Sequence, residues 1–439
     1  MNGRGGKIVK IKTQVEELSP VKRKLTVEVE AEEIDKRLNK AYREIGKKAR
    51  IPGFRPGKAP MGILERYFGR QVKEEVAQDL IGETLPKAFE DTAIVPLAFP
   101  EMERGALERG KVFRYSAVLE VRPKIELKNY LGVEVEKEEV VVTDEEVDER
   151  IQQILKAHGK LESIPEHRPI KEGDFAILEY QAFEGETPLT DIQATNFLVN
   201  VGAGEFHLEF EKALVGLSVD DQKEITVKFQ EEHYHKALAG KELRFVVKVL
   251  DIKEMKLPEL SDDFAKTLDS ELETVDDLKK KVKETIEKEK NAKVDREAQK
   301  RLLNEITKDI HIDLPQSLVE AELGKAIDLV SQNLARSGSS LEKAGLSVEK
   351  LRGDLRPSAE ERVKNMLVLS EIAQREGIKV SDEDVDEAFR EMGESMGQDP
   401  LVVKRYYEAK QMMEPLRERL LEEKTLNYLM EHAIIKNRN

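Results

Sequence analysis

The most constraining feature of this sequence is a single thin apolar stripe drawn out over a very long helical period. Leu278, Val282, Ile286, Val294, Ala298, Leu302, Ile306 and Ile310 recur in steps of four, interrupted once by Lys290. The spacing predicts a helix of roughly 35 residues, about 50 Å long. One stripe on so long a rod buries little surface, so the helix is expected to project as an arm, braced by neighbours along part of its length. Composition points the same way: charged residues make up 37%, aromatics 5%, and Trp is absent, against about 25% charged in ordinary soluble domains. A chain of 439 residues at about 150 per domain is expected to form roughly three separate cores rather than one compact globule.

The rest of the pattern divides accordingly, into a multidomain α+β chain. Residues 1–123 form an N-terminal α+β domain. Residues 24–30 alternate as a half-buried strand, 31–49 carry helical spacing, and 51–60 are a Gly/Pro-dense loop. Helical pattern then continues to about residue 93, and a strand at 113–121 can pair with the first. Residues 124–165 are a connector packing with the C-terminal helices. Its extended stretch 133–142 leads into a capping box, Thr143 to Glu146, that opens a helix with apolar residues Val147, Ile151, Ile154 and Leu155. A similar string returns at residues 380–387. It is either a convenient N-cap used twice or the mark of one helical body interrupted by an insert. That insert, 166–255, reads as a compact antiparallel β domain with strands near 175–183, 196–201, 223–229 and 244–253 and little helix. Gly202-Ala203-Gly204 lacks the setting of a nucleotide loop and reads as a turn. Residues 256–439 are all-α and elongated. After the long arm, Leu314-Pro315 separates it from a helix ending at Gly338, and further helices are expected near 348–376, 382–396, 401–410 and 414–435. Six Met after residue 360 (366, 392, 396, 412, 413, 430) offer soft apolar contact.

Several classes of function are excluded or disfavoured. Cys is absent and His numbers only seven, which removes disulfides, thiolate sites and Cys nucleophiles and makes a metal or other cofactor unexpected. No signal-peptide core or membrane-length apolar run is present, so a cytoplasmic protein with no membrane partner is expected. The net charge of −15 argues against general nucleic-acid coating. Residues 36–73 reverse that balance, with twelve Lys/Arg against Glu44 and Glu65. One end of the molecule is attractive to a polyanion.

At the centre of the reversal stands Gly53-Phe54-Arg55-Pro56-Gly57-Lys58-Ala59-Pro60. Its glycines and prolines fix a turn that presents one large ring beside two cations. Either the ring folds back onto its own helix, or something foreign covers it. Lys47, Lys48 and Arg50 alongside suit a partner bearing phosphates or acidic side chains.

On these residues the sequence resembles the trigger factor family of bacterial chaperones. The family's docking signature, Gly-Phe-Arg-x-Gly-Lys-x-Pro, is matched by Gly53, Phe54, Arg55, Gly57, Lys58 and Pro60, with Pro56 where some members carry another Lys. The resemblance spans nearly the whole chain: docking domain, connector, inserted FKBP-like domain and helical C-terminal body. The first eight or so residues look like an added extension. It implies docking at the ribosomal exit tunnel, on a ribosomal protein and adjacent ribosomal RNA. It also implies ATP-independent shielding of nascent and unfolded polypeptides, assistance to folding and export, and a weak homodimer when free. No P-loop occurs, in keeping with that.

The resemblance also implies an FKBP-type prolyl isomerase, whose pocket candidates by local alignment are Tyr180, Leu189, Phe197, Phe206, His207, Phe210, Tyr234 and Phe245. The family's Val/Met-Ile-Pro-Gly-aromatic segment here reads Phe206-His207-Leu208-Glu209-Phe210, the pocket acid's place falls at Leu189-Thr190 near Asp191, and Glu209 is expected to bring a charge near the pocket. Isomerase activity and a structural or peptide-binding module both remain open, with no residue assigned as catalytic. The alternative to a ribosome-bound chaperone is a mainly soluble prolyl isomerase whose flanking helices recruit substrates. A third reading is an RNA-binding scaffold using only the basic end.

Overall fold

The computed structural model describes residues 9–55, 57–164, 168–229 and 240–438. The N-terminal elements are β1 (Ile11–Ser19), β2 (Lys22–Val29), α1 (Ala31–Lys48), α2 (Met61–Thr92), β3 (Glu101–Arg104) and β4 (Phe113–Glu120). Then follow β5 (Glu134–Glu138), α3 (Asp144–Ala157), β6 (Lys160–Ser163), β7 (Phe175–Glu184), β8 (Thr187–Asn200), α4 (Leu208–Leu214), β9 (Gln222–Lys228) and β10 (Glu242–Lys256). The remainder is helical: α5 (Asp262–Leu268), α6 (Val275–Thr307), α7 (Gln316–Arg336), α8 (Val348–Glu376), α9 (Asp382–Met396), α10 (Pro400–Ala409) and α11 (Met413–Glu431), closing with β11 (Ile434–Arg438). These elements fall into two compact units, Met1–Val135 with Arg301–Ile434, and Glu136–Lys300 with Ile435–Asn439.

In the first unit, β4 pairs antiparallel with β2 as the alternation predicts, with Leu25 opposite Ala117 and Val27 opposite Tyr115. The sheet order β1-β2-β4-β3 adds two edge strands that the sequence pattern did not reveal. Alternate residues Leu25, Val27 and Val29 of β2 meet Ile34, Leu38 and Tyr42 of α1 and Val72, Val76 and Leu80 of α2 in one core. The buried Thr84 and Tyr115 hydroxyls share a 2.6 Å hydrogen bond there. The chain leaving β4 is tied to the helices of the same unit. The Glu120 carboxylate accepts the backbone N–H groups of Gln316 and Ser317 at 3.2 and 2.7 Å, satisfying orphan donors at the start of α7. Ile125 packs with Val319, Val363 and Leu367, and the Tyr130 and Tyr428 hydroxyls both donate to Glu376.

The helices of this unit follow their periodicity, α8 and α9 over the expected residues. α11 departs from it: the helix ends at Glu431, and the chain turns into β11, which pairs with β5, instead of continuing helical to residue 435. The Ile434 N–H donating to Val133 O at 2.9 Å starts that pairing, so strand partners outcompete one further helical turn.

In the second unit, Thr143 accepts the Glu146 N–H while Glu146 accepts the Thr143 N–H, the expected capping box. Val147, Ile151 and Leu155 of α3 pack with Phe264 of α5 and with Leu278, Val282 and Ile286 of α6. Lys290, the break in the apolar stripe, is explained here: its ammonium donates to Val141 O at 2.8 Å and pairs with Glu146 at 2.6 Å. α6 stops at Thr307, so Ile310 lies beyond it. The second capping string opens α9 in the first unit, where Ser381 and Asp384 cap reciprocally. The two boxes thus serve helices with different packing partners.

The Asp384 carboxyl is held down to about 2, chiefly by its bond with the Lys424 ammonium and then by the Ser381 N–H. A carboxyl depressed from 3.8 contributes stability that is fully present above that value and is lost as pH falls toward 2. The protection factors of the first-turn amides of α9, corrected for intrinsic exchange, should therefore fall between about pH 4 and pH 2. Asp384→Asn should remove that change in protection.

The inserted segment forms a five-stranded antiparallel sheet in the order β6-β10-β7-β8, with β9 also on β10. It takes in β6, which lies before residue 166. The long β10 carries Leu243, Phe245, Val247 and Val249 on its buried face, against α4 and the inner residues of β7 and β9.

Candidate functional site

Two places gather the residues that the sequence marks out. The first is the loop between α1 and α2. Gly53 and Gly57 sit at φ +84° and +82°, a left-handed conformation that costs a side-chain-bearing residue about 1–2 kcal/mol. The loop is held by hydrogen bonds from Phe54 N–H to Ile51 O at 3.1 Å, Gly57 N–H to Gly46 O at 2.9 Å and Lys58 N–H to Arg55 O at 2.9 Å. Ile51 is buried in the domain core and Ala59 is half-buried against it, so both ends are anchored while the tip is not. Phe54 is 39% exposed and is not part of the domain's apolar core. Lys47, Lys48, Arg50, Arg55, Lys58 and Pro60 are exposed as well; Pro56 lies outside the described residues.

The electrostatics of α1 change along its length. Near its start, Lys36 pairs with Glu32 at 2.7 Å, and Arg37 pairs with Glu33 and Glu83 at 2.9 and 2.6 Å. Among the described residues, the side chains of Lys47, Lys48, Arg50, Arg55 and Lys58 make no such pair. Positive charge is thus left unneutralised around the exposed Phe54 ring.

The second place is in the inserted domain. Tyr180 from β7, Phe197 from β8, Phe206, Phe210 from α4 and Phe245 from β10 converge in one aromatic cluster. Tyr180 lies 5.3 Å from Phe197, 6.0 Å from Phe206 and 5.9 Å from Phe245, centroid to centroid. Burial pushes the Tyr180 phenol up from its ordinary value, so it stays a neutral donor at pH 7. Leu189 is half-buried against the same core, and its carbonyl accepts the Gln181 side-chain amide at 2.9 Å. His207 lies 5.3 Å from Phe229, edge on, with a buried Nδ1 that has no partner among the described residues. Tyr234 lies outside the described residues.

Glu209 is exposed, and the buried acid is Glu211, 0% exposed. Its carboxylate accepts backbone N–H groups from Gly202 at 3.0 Å, Gly204 at 2.6 Å and Phe206 at 2.9 Å, fastening the Gly-Ala-Gly turn to α4. The signal for it was present: two residues along a helix turn about 200°, so residues 209 and 211 cannot share a face. The glycine turn upstream needed an acceptor for its amides.

Family models described as bacterial trigger factor protein match residues 11–154 and, for the C-terminus, residues 274–431. An FKBP-type peptidyl-prolyl cis-trans isomerase model matches residues 166–250. The trigger factor of Halalkalibacterium halodurans is 34% identical over 414 residues, covering 93% of this chain and 96% of that one. That of Geobacter metallireducens is 35% identical over 422 residues, covering 96% and 97%. A solved structure of the trigger factor chaperone, described with promiscuous substrate recognition in folding and assembly, shares the fold at a TM-score of 0.50 and 24% identity, covering 95% of this chain and 99% of that one. With both terminal domains, the insert between them and nearly the full length matched, the chain belongs to the trigger factor family, ribosome-associated chaperones that carry an FKBP-type isomerase domain.

Proposed function

We propose that this chain docks beside the ribosomal exit tunnel through the loop at residues 50–60 and shields emerging polypeptides there without ATP, in the cytoplasm. The observation that carries the reading is Phe54, held out on an anchored turn amid cations that have no partner among the described residues. The ring suits an apolar socket on a ribosomal protein, and Lys47, Lys48, Arg50, Arg55 and Lys58 suit acidic side chains and ribosomal RNA phosphates. Exposed Met396, Leu401, Val402, Tyr406 and Met412 around α10 supply individually weak apolar contacts, which release a client without an energy source. The charge reversal between residues 36–73 and the acidic remainder supports weak pairing of free copies.

Ribosome co-sedimentation at graded salt tests the docking. If about three of these cations each neutralise a phosphate, affinity falls roughly 40-fold between about 50 and 200 mM salt. A flat response would reject the phosphate contact.

The inserted domain is read as a prolyl isomerase acting by desolvation. Rotation about an X-Pro bond meets a barrier of about 18–20 kcal/mol, and an apolar aromatic pocket favours the twisted, less amide-like imide. No proton is transferred, so His207 needs no acid–base role.

A further inference from the structure

The geometry points to Phe206 as a plug that occupies the prolyl subsite of the inserted domain and must swing aside before substrate enters. This rests on the isomerase reading above. Phe210 and Phe245, the rings expected to floor the pocket, are both 0% exposed. A group that no solvent reaches cannot touch a substrate where it stands. What lies over them includes Phe206, whose ring centroid is 4.9 Å from Phe210, 6.0 Å from Phe245, 5.5 Å from Phe197 and 6.0 Å from Tyr180. A pyrrolidine ring that stacks on Phe210 must take the volume that the Phe206 ring fills.

The backbone beneath this ring is fixed, while the ring itself is half-buried. The Phe206 N–H is held by buried Glu211 at 2.9 Å, and Gly202 and Gly204 by the same carboxylate. His207, with φ −163°, is extended and leads directly into α4. Opening is therefore a side-chain rotation at residue 206 on a stationary main chain. Phe206 faces Phe197 and Tyr180, both half-buried, so the outward path leads to solvent and not into the core. In this arrangement Phe206 is a gating residue. Its closed rotamer lowers apparent affinity by the fraction of molecules that are open, and it selects segments able to trade an apolar ring for the one they displace.

The test uses the full-length chain and a prolyl tetrapeptide. If the open rotamer is populated at about a tenth, Phe206→Val should lower KM about tenfold. A variant that melts as wild type does, yet shows KM unchanged or raised, overturns the plug while leaving the isomerase reading intact. The chain contains no Trp, so Phe206→Trp gives a second, catalysis-independent readout. Its emission should shift red on addition of millimolar peptide as the ring leaves the pocket, and an unshifted spectrum overturns the gate. If neither wild type nor Phe206→Val accelerates isomerisation, the isomerase reading fails, and the tryptophan shift alone decides whether the ring gates peptide binding.

Discussion

Replacing Phe54, Arg55 and Pro56 together by alanine is expected to lower ribosome affinity by two orders of magnitude or more, with no loss of fold. Seating one phenylalanine in an apolar socket contributes about 1.5–3 kcal/mol, and a charge-assisted hydrogen bond from Arg55 about 1.5–3 kcal/mol. Together these amount to roughly 3–6 kcal/mol, or about 10²- to 10⁴-fold in affinity. The domain should tolerate the change because Phe54 is 39% exposed and the Arg55 side chain has no ion-pair partner among the described residues. The turn is set by Gly53, Gly57 and their backbone bonds, which the triple variant keeps. Sedimentation through a sucrose cushion, beside a melting curve of the same variant, gives the answer. A triple variant that pellets with ribosomes as wild type does would show that the loop is not the docking element. An unchanged rate on a prolyl tetrapeptide would place the isomerase reading apart from docking.

Glu211→Ala should have the largest effect on the inserted domain. The substitution deletes a fully buried acceptor that holds the N–H groups of half-buried Gly202 and Phe206 and of exposed Gly204. A partly buried donor left unmade costs about 1–3 kcal/mol, so the two half-buried amides together imply a loss of about 2–5 kcal/mol. Hydrogen exchange in the intact chain should show the amides of Gly202, Gly204 and Phe206 losing protection first, with the β2 and β4 amides of the N-terminal domain unaffected. Glu211→Gln, which keeps one acceptor oxygen, should lie between the two. Unaltered protection at those three amides in the alanine variant would mean that the turn is held by something other than this carboxylate.

The two predictions differ in how far the sequence foretold them. The turn at residues 51–60 was legible because glycine and proline impose backbone geometry locally, and the surplus of Lys and Arg beside Phe54 needs no fold to be seen. Helices α1, α8 and α9 were legible for the same reason: their apolar residues repeat at the period of the element that buries them, and Thr143 and Ser381 announce their own caps. The aromatic residues of the inserted domain could be named from resemblance, and the fold does bring Tyr180, Phe197, Phe206, Phe210 and Phe245 together.

Other features have no local signature. β1 and β3 are edge strands whose residues are mostly exposed, so no alternation marks them, and only pairing with β2 and β4 makes them strands. β11 exists because β5 lies beside it. Lys290 looked like a flaw in a stripe until Val141 and Glu146 stood against its ammonium. Periodicity, turns and unbalanced charge belong to neighbours along the chain, and the sequence by itself determined those. Which acid is buried, which ring fills the pocket and which strand finds a partner were decided by the tertiary structure, because burial and hydrogen bonding are properties of residues brought together from distant parts of the chain.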